Sequence, residues 1–320
     1  MILSRTQPPT PAEVAHLKAT DSSGLVWFSC ALTLTIAGAY LATRSGWLLW
    51  LTGELVLAAA LVQWFVLLHE CGHRMLFRTR RLNTFAGHIA GFFALIPFEA
   101  WKRVHERHHK WAGWQDLDPT TAALVPRRLS IIERMIINVC WRCWMPLFGT
   151  LYRLTNFWHV FRLWRMFPLA EVRRRVMLNL ALLALVYVLI IIFAGPWLVL
   201  RTTGLALFLA FVGGEILLLS QHTHVPMKLS HGEAVDPFSP LAQQPFTRSL
   251  RLPDWASVGL LHFDAHELHH MYPFVPGYRL MEIPYTPGNE VAWWRWIPAA
   301  RAVPGEIFFF QNRDASGFDV

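Results

Sequence analysis

The sequence is poor in charged residues and in cysteine. Only 16% of its 320 residues are Asp, Glu, Lys or Arg, against roughly 25% in a soluble domain. Hydrophobic residues make up 54%, with 16 Trp and 22 Phe among the aromatic ones. The four cysteines offer no disulfide framework, and we interpret the CxxC of Cys140 and Cys143 as packing, because no second pair accompanies it. This composition predicts a membrane protein.

Two further absences narrow the function. The formal charge is +8, yet no nucleic-acid-binding pattern accompanies it, so we expect no nucleic-acid partner. In a membrane protein such an excess is typical of basic cytoplasmic loops. The first 22 residues hold Pro8, Pro9 and Pro11 and lack an apolar core, so we expect no cleavable signal peptide.

Four apolar stretches are long enough to cross a bilayer as helices. The ionisable Glu54 lies inside the second stretch, near its outer end. The predicted spans are residues 25–42, 47–68, 176–193 and 197–220. We therefore predict an all-α integral membrane protein, with four transmembrane helices in two hairpins and a cytoplasmic helical cap that carries the histidine clusters.

The whole chain, 1–320, is expected to form one domain. Residues 126–175 contain ten Arg and two acidic residues among bulky apolar side chains, which is typical of helices that lie on an anionic membrane surface. The predicted segments are a cytoplasmic tail (1–23), a first helical hairpin (24–68), a segment with two histidine clusters (69–125), amphipathic interfacial helices (126–175), a second helical hairpin (176–220) and a cytoplasmic cap with the last cluster (221–320).

Histidine is concentrated in clusters of regular spacing. His105-Glu106-Arg107-His108-His109 and His266-Glu267-Leu268-His269-His270 share an HxxHH pattern, and His69 and His73 form a further pair. Positions i, i+3 and i+4 share one face of a helix, so each HxxHH cluster would point three imidazoles the same way. Neutral imidazole is the commonest protein ligand for Zn, Cu, Fe and Ni. With four spans and both termini inside, all the clusters fall on one side of the membrane. Histidines scattered by chance would have no reason to do so, and we therefore predict that the clusters bind metal together.

Eight clustered histidines exceed the needs of one metal ion, which takes three or four protein ligands. Two ions with about four imidazoles each fit the count, and His222 or His224 would add a ninth ligand. Two such ions at a membrane surface suit redox chemistry on a lipid, for which iron is the natural metal, while zinc and manganese remain open.

Acidic residues near the clusters are candidates to hold the second nitrogen of a ligating imidazole. Asp116, Asp118 and Asp264 are the foremost, and the alternative for each is a solvated charge or a helix cap. The full candidate set is Glu70, Glu106, Asp116, Asp118, Asp264 and Glu267.

Together the clusters resemble the three histidine boxes of membrane fatty acid desaturases. His69-Glu70-Cys71-Gly72-His73 matches the HxxxH box, and the two HxxHH clusters match the second and third boxes. Gln221-His222-Thr223-His224 resembles a segment of the acyl-lipid branch, and Tyr272-Pro273-Phe274-Val275-Pro276 resembles the aromatic and proline sequence after the third box. The resemblance covers roughly residues 50–280.

This resemblance implies a di-iron enzyme that uses O₂ and two electrons to remove two hydrogens from a lipid-linked acyl chain. His222 matches the extra family ligand better than His224, and His262, which makes the third region HxxxHxxHH, is interpreted as an accessory residue. The implied ligands are His69, His73, His105, His108, His109, His222, His266, His269 and His270.

The resemblance also implies an external electron donor, and we expect a separate ferredoxin or a similar small redox protein on the basic cytoplasmic face. The four-residue spacing of His69 and His73 favours the acyl-lipid over the acyl-CoA branch. We expect a multi-pass protein of a bacterial-type inner membrane or an equivalent membrane, with the active site on the cytoplasmic side.

Three rival interpretations remain at this stage. Related membrane hydroxylases, monooxygenases and carotenoid ketolases use similar boxes, and histidine spacing does not separate hydrogen removal from oxygen insertion. His69-Glu70-Cys71-Gly72-His73 is also an HExxH sequence, as in zinc metalloproteases, although an intramembrane protease would leave both HxxHH clusters idle. A metal transporter would place ionisable residues along its spans, whereas these histidines lie outside them.

Overall fold

The computed structural model describes residues 7–318 and residue 320, and most of them are helical. The helices, in chain order, are α1 (Pro11–Val14), α2 (Asp21–Ala42), α3 (Trp47–His73), α4 (Arg80–Ala94), α5 (Phe98–Trp111), α6 (Ile131–Arg142), α7 (Leu147–Arg153), α8 (Val160–Met166), α9 (Ala170–Ala194), α10 (Pro196–His222), α11 (Asp254–Gly259), α12 (His266–Met271), α13 (Trp293–Ala302), α14 (Gly305–Phe310) and α15 (Arg313–Ser316). A π-helical turn (Leu154–Trp158) and three 3₁₀ turns (Ala122–Leu124, Pro240–Phe246, Gly277–Glu282) supplement them. In the described part of the chain the strands are β1 (Ser249–Arg251) and β2 (Glu290–Ala292), which pair in parallel.

Four of these helices, α2, α3, α9 and α10, are long and apolar enough to cross a membrane. The prediction of an all-α integral membrane protein with four spanning helices is therefore confirmed. α9 begins at Ala170, six residues before the predicted span, because Arg is a good helix former and the helix continues through Arg173-Arg174-Arg175 beyond the apolar stretch.

The contacts divide the chain into two compact units, and the first contains Ala19–Arg103 and Gly149–Gly214. Here α2 and α3 pack against each other through small residues: a Cβ added to Gly53 would lie 2.7 Å from the carbonyl oxygen of Gly38. Two polar side chains of α3 reach the backbone of α10. Glu54, fully buried, accepts from the amide of Ala206 at 2.6 Å, and the indole of Trp50 donates to the carbonyl of Arg201 at 2.8 Å.

The second unit contains the N-terminal residues up to Lys18, Val104–Phe148 and Glu215–Val320. An apolar core forms around Trp141 of α6, whose ring stacks on Phe308 at 4.7 Å and whose indole donates to the carbonyl of Val303. A second core forms on α12 from Leu268, Met271 and Tyr272 with the N-terminal residues Val14 and Leu17. This second core fixes the helix that carries the last histidine cluster.

The predicted N-terminal tail, 1–23, is only partly described, since residues 1–6 lie outside the described residues. The described residues up to Lys18 belong to the second unit, where the hydroxyl of Tyr272 donates to the carbonyl of Pro9 at 2.6 Å. The predicted interfacial segment begins with α6, which starts in a capping box of Ser130 and Glu133. α6 exposes an apolar face, with Ile131 84% and Ile132 65% exposed, as a membrane-surface helix would. The interfacial role stays a prediction.

Candidate metal centre

Seven of the predicted ligands belong to the second unit and lie on three helices, and each HxxHH cluster is helical as the spacing predicted. α5 carries His105, His108 and His109 near its C-terminal end. α12 carries the last cluster within six residues, all of them buried. The long helix α10 ends at His222.

Four imidazoles from these helices converge on one point. The Nε2 atom of His270 lies 3.2 Å from Nε2 of His108 and 3.2 Å from Nε2 of His222. Nε2 of His266 lies 2.8 Å from Nε2 of His222. All four ligand nitrogens fall within 4.8 Å of one another, and three of the four side chains are buried.

This arrangement fits a metal cation. Nitrogens about 2.1 Å from one ion, at right or tetrahedral angles, lie about 3.0–3.4 Å apart. The two distances from His270 fall in this range at 3.2 Å, and the distance between His266 and His222 is slightly shorter at 2.8 Å. Two of the outward nitrogens make hydrogen bonds elsewhere: Nδ1 of His108 donates to Asp118, and Nδ1 of His270 donates to Gln243. A proton on Nδ1 leaves a lone pair on Nε2, so several lone pairs point at the same place, which is repulsive unless a cation lies between them.

Burial among other imidazoles keeps the ring of His270 uncharged. Its removal from water lowers the pKa of His270 well below its ordinary value, and the neighbouring His109 and His266 lower this pKa further. The ring is therefore neutral at physiological pH, which is the form that coordinates metals.

A second group of histidines lies beside the first, on α5 and α12. Nε2 of His109 is 3.2 Å from Nε2 of His105 and 3.1 Å from Nε2 of His269. The ligand nitrogens of these three residues all lie within 4.8 Å of one another. Two groups of converging imidazoles agree with the prediction of two ions, although the ion count itself stays a prediction.

His69 and His73 belong to the first unit. They lie one turn apart near the C-terminal end of α3, with ring centroids 4.8 Å apart and ligand nitrogens within 4.8 Å of each other. Nδ1 of His69 is 3.2 Å from the carboxylate of Glu70. Both histidines therefore face the same side of their helix, as the HxxxH spacing predicts.

Asp118 makes the strongest contact between a predicted acidic residue and a histidine. Its Oδ2 accepts from Nδ1 of His108 at 2.7 Å, while Oδ1 accepts from the amide and the hydroxyl of Thr120, both at 2.8 Å. Complete burial would raise the pKa of Asp118, but His108 and Thr120 hold it below its ordinary value. The carboxylate is thus ionised and fixes the tautomer of His108.

The other predicted acidic residues have different partners. Asp116 accepts from the amide and hydroxyl of Ser230, and Asp264 accepts from the hydroxyl of Ser257. Glu267 accepts from the amides of Gly288 and Asn289, and Glu106 is exposed. Among the six candidates, Asp118 and Glu70 are the ones that the structure brings to a predicted ligand.

His224 lies outside both groups of converging nitrogens. Its Nδ1 lies 3.1 Å from the carbonyl of Gln311, and its Nε2 lies 2.7 Å from the hydroxyl of Ser316. Both ring nitrogens are therefore engaged with the C-terminal segment. His262, interpreted as accessory, contacts the hydroxyl of Ser257 at 2.8 Å and likewise stands apart from the groups.

Gln243 is a residue of this site that sequence reasoning missed. Its buried amide accepts from Nδ1 of His270 at 2.8 Å and donates to the carbonyl of His109 at 2.7 Å. Three residues later, the carbonyl of Phe246 accepts from Nδ1 of His222 at 3.3 Å. The 3₁₀ turn Pro240–Phe246 thus contacts three of the predicted ligands, and no sequence pattern marks it.

Comparison with known proteins places these observations in a family context. A family model described as fatty acid desaturase matches residues 45–286. The chain is 24% identical over 283 residues to an sn-1 oleoyl-lipid 12-desaturase of Picosynechococcus, covering 86% of this chain and 78% of the relative. A probable fatty acid desaturase of Sorghum bicolor is 26% identical over 261 residues (77% and 65% covered), and a fatty acid desaturase of Bacillus subtilis is 25% identical over 260 residues (76% and 69% covered).

Proposed function

We propose that this chain introduces a double bond into a lipid-linked acyl chain with O₂ and a di-iron centre. The chain belongs to the fatty acid desaturase family and is thus an oxidoreductase that acts on fatty acids. The observation that carries the proposal is the convergence of the Nε2 atoms of His108, His222, His266 and His270. A relative named as an oleoyl-lipid desaturase supports the lipid-linked substrate.

Iron is the metal that fits both the ligands and the family. Imidazole nitrogen suits Zn, Cu, Fe and Ni alike, so the donor set alone leaves the metal open. Zinc has no redox chemistry, however, and an oxidoreductase needs a metal that changes its oxidation state. The same argument removes the support for an HExxH zinc protease at His69 and His73.

The proposed ligands are the nine histidines that the sequence indicated. His108, His222, His266 and His270 would hold one ion, and His105, His109 and His269 would contribute to the second. The family resemblance, rather than the geometry, makes His69 and His73 ligands as well.

The chemistry requires electrons from outside the chain. A bound di-iron centre supplies the activation of O₂, and the overall reaction removes two hydrogens from adjacent carbons, consumes two electrons and two protons, and yields two waters. Asp118 and Gln243 keep His108 and His270 in the tautomer that presents Nε2 inward.

We propose that the electrons come from a separate small redox protein with an acidic surface. Arg107 and Lys110 are exposed on α5, the helix that carries His105, His108 and His109. Opposite charge steers such a partner to this end of the helix, close to the predicted centre. By the positive-inside rule the same basic residues favour a cytoplasmic site, in a bacterial-type inner membrane or its equivalent.

The test joins metal content with lipid products. The full chain is expressed in a bacterium beside a His108→Ala, His109→Ala variant and a control, His16→Ala, His231→Ala, which removes two exposed histidines outside both groups. Mass spectrometry then measures metal per chain and the fatty-acid profile. We expect about two irons per chain and a new unsaturated species in the wild type and the control, and neither in the variant.

Other outcomes contradict the proposal in distinguishable ways. Two irons with hydroxylated or ketonic lipids would refute desaturation and assign the chain to oxygen insertion. One zinc per chain with an unchanged lipid profile would refute the di-iron centre itself.

A further inference from the structure

The start of α9 forms a groove that has no role in the predicted metal centre. This groove is open on one side and has a volume of about 470 Å³, within the range of small-molecule sites. It belongs to the first unit. Its lining residues are Trp164, Ala170, Arg173, Arg174, Met177 and Leu178.

One end of the groove carries two positive charges that the chain leaves uncompensated. The guanidinium of Arg173 donates to the carbonyls of Phe167 and Pro168, at 3.1 and 3.4 Å, and lies 4.3 Å from the ring centroid of Trp164. These contacts fix the cation without neutralising it. Arg174 is exposed and has no carboxylate partner in the described part of the chain.

The neighbouring Arg175 shows the contrast. It forms an ion pair with Glu171 at 2.5 Å, one helical turn earlier on α9. Glu171 thereby neutralises one of the three consecutive arginines. The two arginines that line the groove are the ones left without an acidic partner, so the groove attracts an anion.

The other end of the groove is apolar and continues along α9. Met177 and Leu178 line it, and Leu182 and Leu185 follow at helical spacing, with Leu178, Leu182 and Leu185 between 51% and 56% exposed. α9 is one of the four candidate membrane spans. What covers this apolar face is therefore lipid hydrocarbon.

We propose that this groove is a binding site for an anionic phospholipid. Arg173 and Arg174 bind the phosphate of the head group, and an acyl chain lies along Met177 and Leu178 toward Leu182. An aromatic side chain such as Trp164 is favoured at this depth, where apolar and polar media meet. A zwitterionic lipid fits less well, because its own ammonium group offsets the phosphate that two unpaired guanidinium groups attract.

The experiment measures lipid-dependent stability of the purified full chain in detergent. Thermal unfolding is recorded with added phosphatidylglycerol, with phosphatidylcholine and with inorganic phosphate. We expect phosphatidylglycerol to raise the unfolding midpoint most, phosphatidylcholine less, and inorganic phosphate hardly at all, because phosphate alone lacks the hydrocarbon that fills the apolar end.

The variant Arg173→Gln, Arg174→Gln tests the site. Each basic side chain near an anionic lipid contributes about a factor of five in affinity, so the double variant is expected to bind phosphatidylglycerol about 25-fold more weakly. The matched control is Arg80→Gln, Arg81→Gln, which removes two adjacent, exposed arginines from the start of α4 in the same unit. The control should retain the full response to phosphatidylglycerol.

If phosphatidylglycerol shifted the unfolding midpoints of the two double variants equally, the proposal would be overturned, because the two arginines of the groove would then contribute no more than any other exposed pair. A response to inorganic phosphate as large as that to phosphatidylglycerol would also overturn it. If the double variant does not fold, Arg174→Gln alone serves, since that exposed side chain has no ion-pair partner in the described part of the chain, and Leu178→Asn tests the apolar end separately.

Discussion

Oε1 of Gln243 lies 2.8 Å from Nδ1 of His270, and the two residues are 27 positions apart in the chain. The same amide donates to the carbonyl of His109 at 2.7 Å, so one side chain joins the helices of the second and third histidine clusters. Gln243 is 1% exposed, which means that neither hydrogen bond competes with bulk water. The amide thus sets the tautomer of one predicted ligand and the position of another.

Removal of this amide should weaken metal binding. We expect Gln243→Leu to lower metal affinity about 10–100-fold, as loss of such a supporting hydrogen bond typically does. Gln243→Glu keeps an acceptor for His270 but loses the donor to His109. Its metal affinity should therefore lie between those of the wild type and Gln243→Leu. Titration with a chelator, followed by metal analysis of the protein, gives the affinity independently of turnover.

Gln311→Leu is the control for this series, because its side chain is exposed and contacts neither histidine group. A chelator midpoint of Gln243→Leu equal to that of wild type would show that the amide only packs against the ligands.

Asp118 and Asp116 lie two positions apart and provide a matched comparison. Asp118→Asn removes the anionic acceptor of His108 and should lower metal affinity and activity about 10–100-fold, and with them the metal content. Asp116→Asn changes the same group where its partner is Ser230, so we expect nearly wild-type metal content. Metal analysis of both variants under identical purification decides the matter. Equal losses would mean that local folding of this loop, and not the hydrogen bond to His108, controls the site.

The sequence predicted the ligand clusters because helical spacing alone aligns their imidazoles. Helical spacing does not decide the acidic candidates in the same way. Glu70, Glu106 and Glu267 each follow the first histidine of a cluster by one position, yet Glu70 contacts His69, Glu267 accepts from the amides of Gly288 and Asn289, and Glu106 is exposed. Gln243 is different, since its contact depends on how a distant 3₁₀ turn packs against α12, and no local pattern reports that.

Of His222, the last residue of α10, and His224, which follows the helix, His222 should be the ligand. His222→Ala is expected to lower metal content, because Nε2 of His222 lies 2.8 Å from Nε2 of His266 within the converging group. His224→Ala should keep its metal but lose stability by about 1 kcal/mol per hydrogen bond, because both of its ring nitrogens contact the C-terminal segment. Metal content and the unfolding midpoint are measured on the same samples. Loss of metal from His224→Ala with a normal midpoint would reverse the assignment.

Hydropathy located the four spans but not their ends. α3 continues past residue 68 to His73, so the first histidine pair belongs to the spanning helix itself and not to the loop after it. The polar residues Glu70 and His73 end the apolar pattern, while the backbone hydrogen bonds continue to the left-handed Arg74. Helix ends are set by backbone capping, which the apolar pattern does not encode. Close packing between spans is equally invisible, because it depends on which glycine faces which neighbour.

Gly53 is the clearest such case, and its substitution should destabilise the pair of α2 and α3. A Cβ at Gly53 would lie 2.7 Å from the carbonyl oxygen of Gly38, and backbone atoms cannot yield as a flexible side chain can. We expect Gly53→Ala to cost about 1–3 kcal/mol, the usual penalty of overpacking, visible as a lower unfolding midpoint in detergent. Gly213→Ala is the matched control, since this glycine also lies within a spanning helix of the same unit and its added Cβ would meet only Val62, at 3.9 Å. Alanine favours the helix over glycine by about 1 kcal/mol, so the control should be neutral or more stable. If both variants lost stability equally, helix approach at Gly53 would not be the cause, and the small-residue contact between α2 and α3 would have no special energetic role.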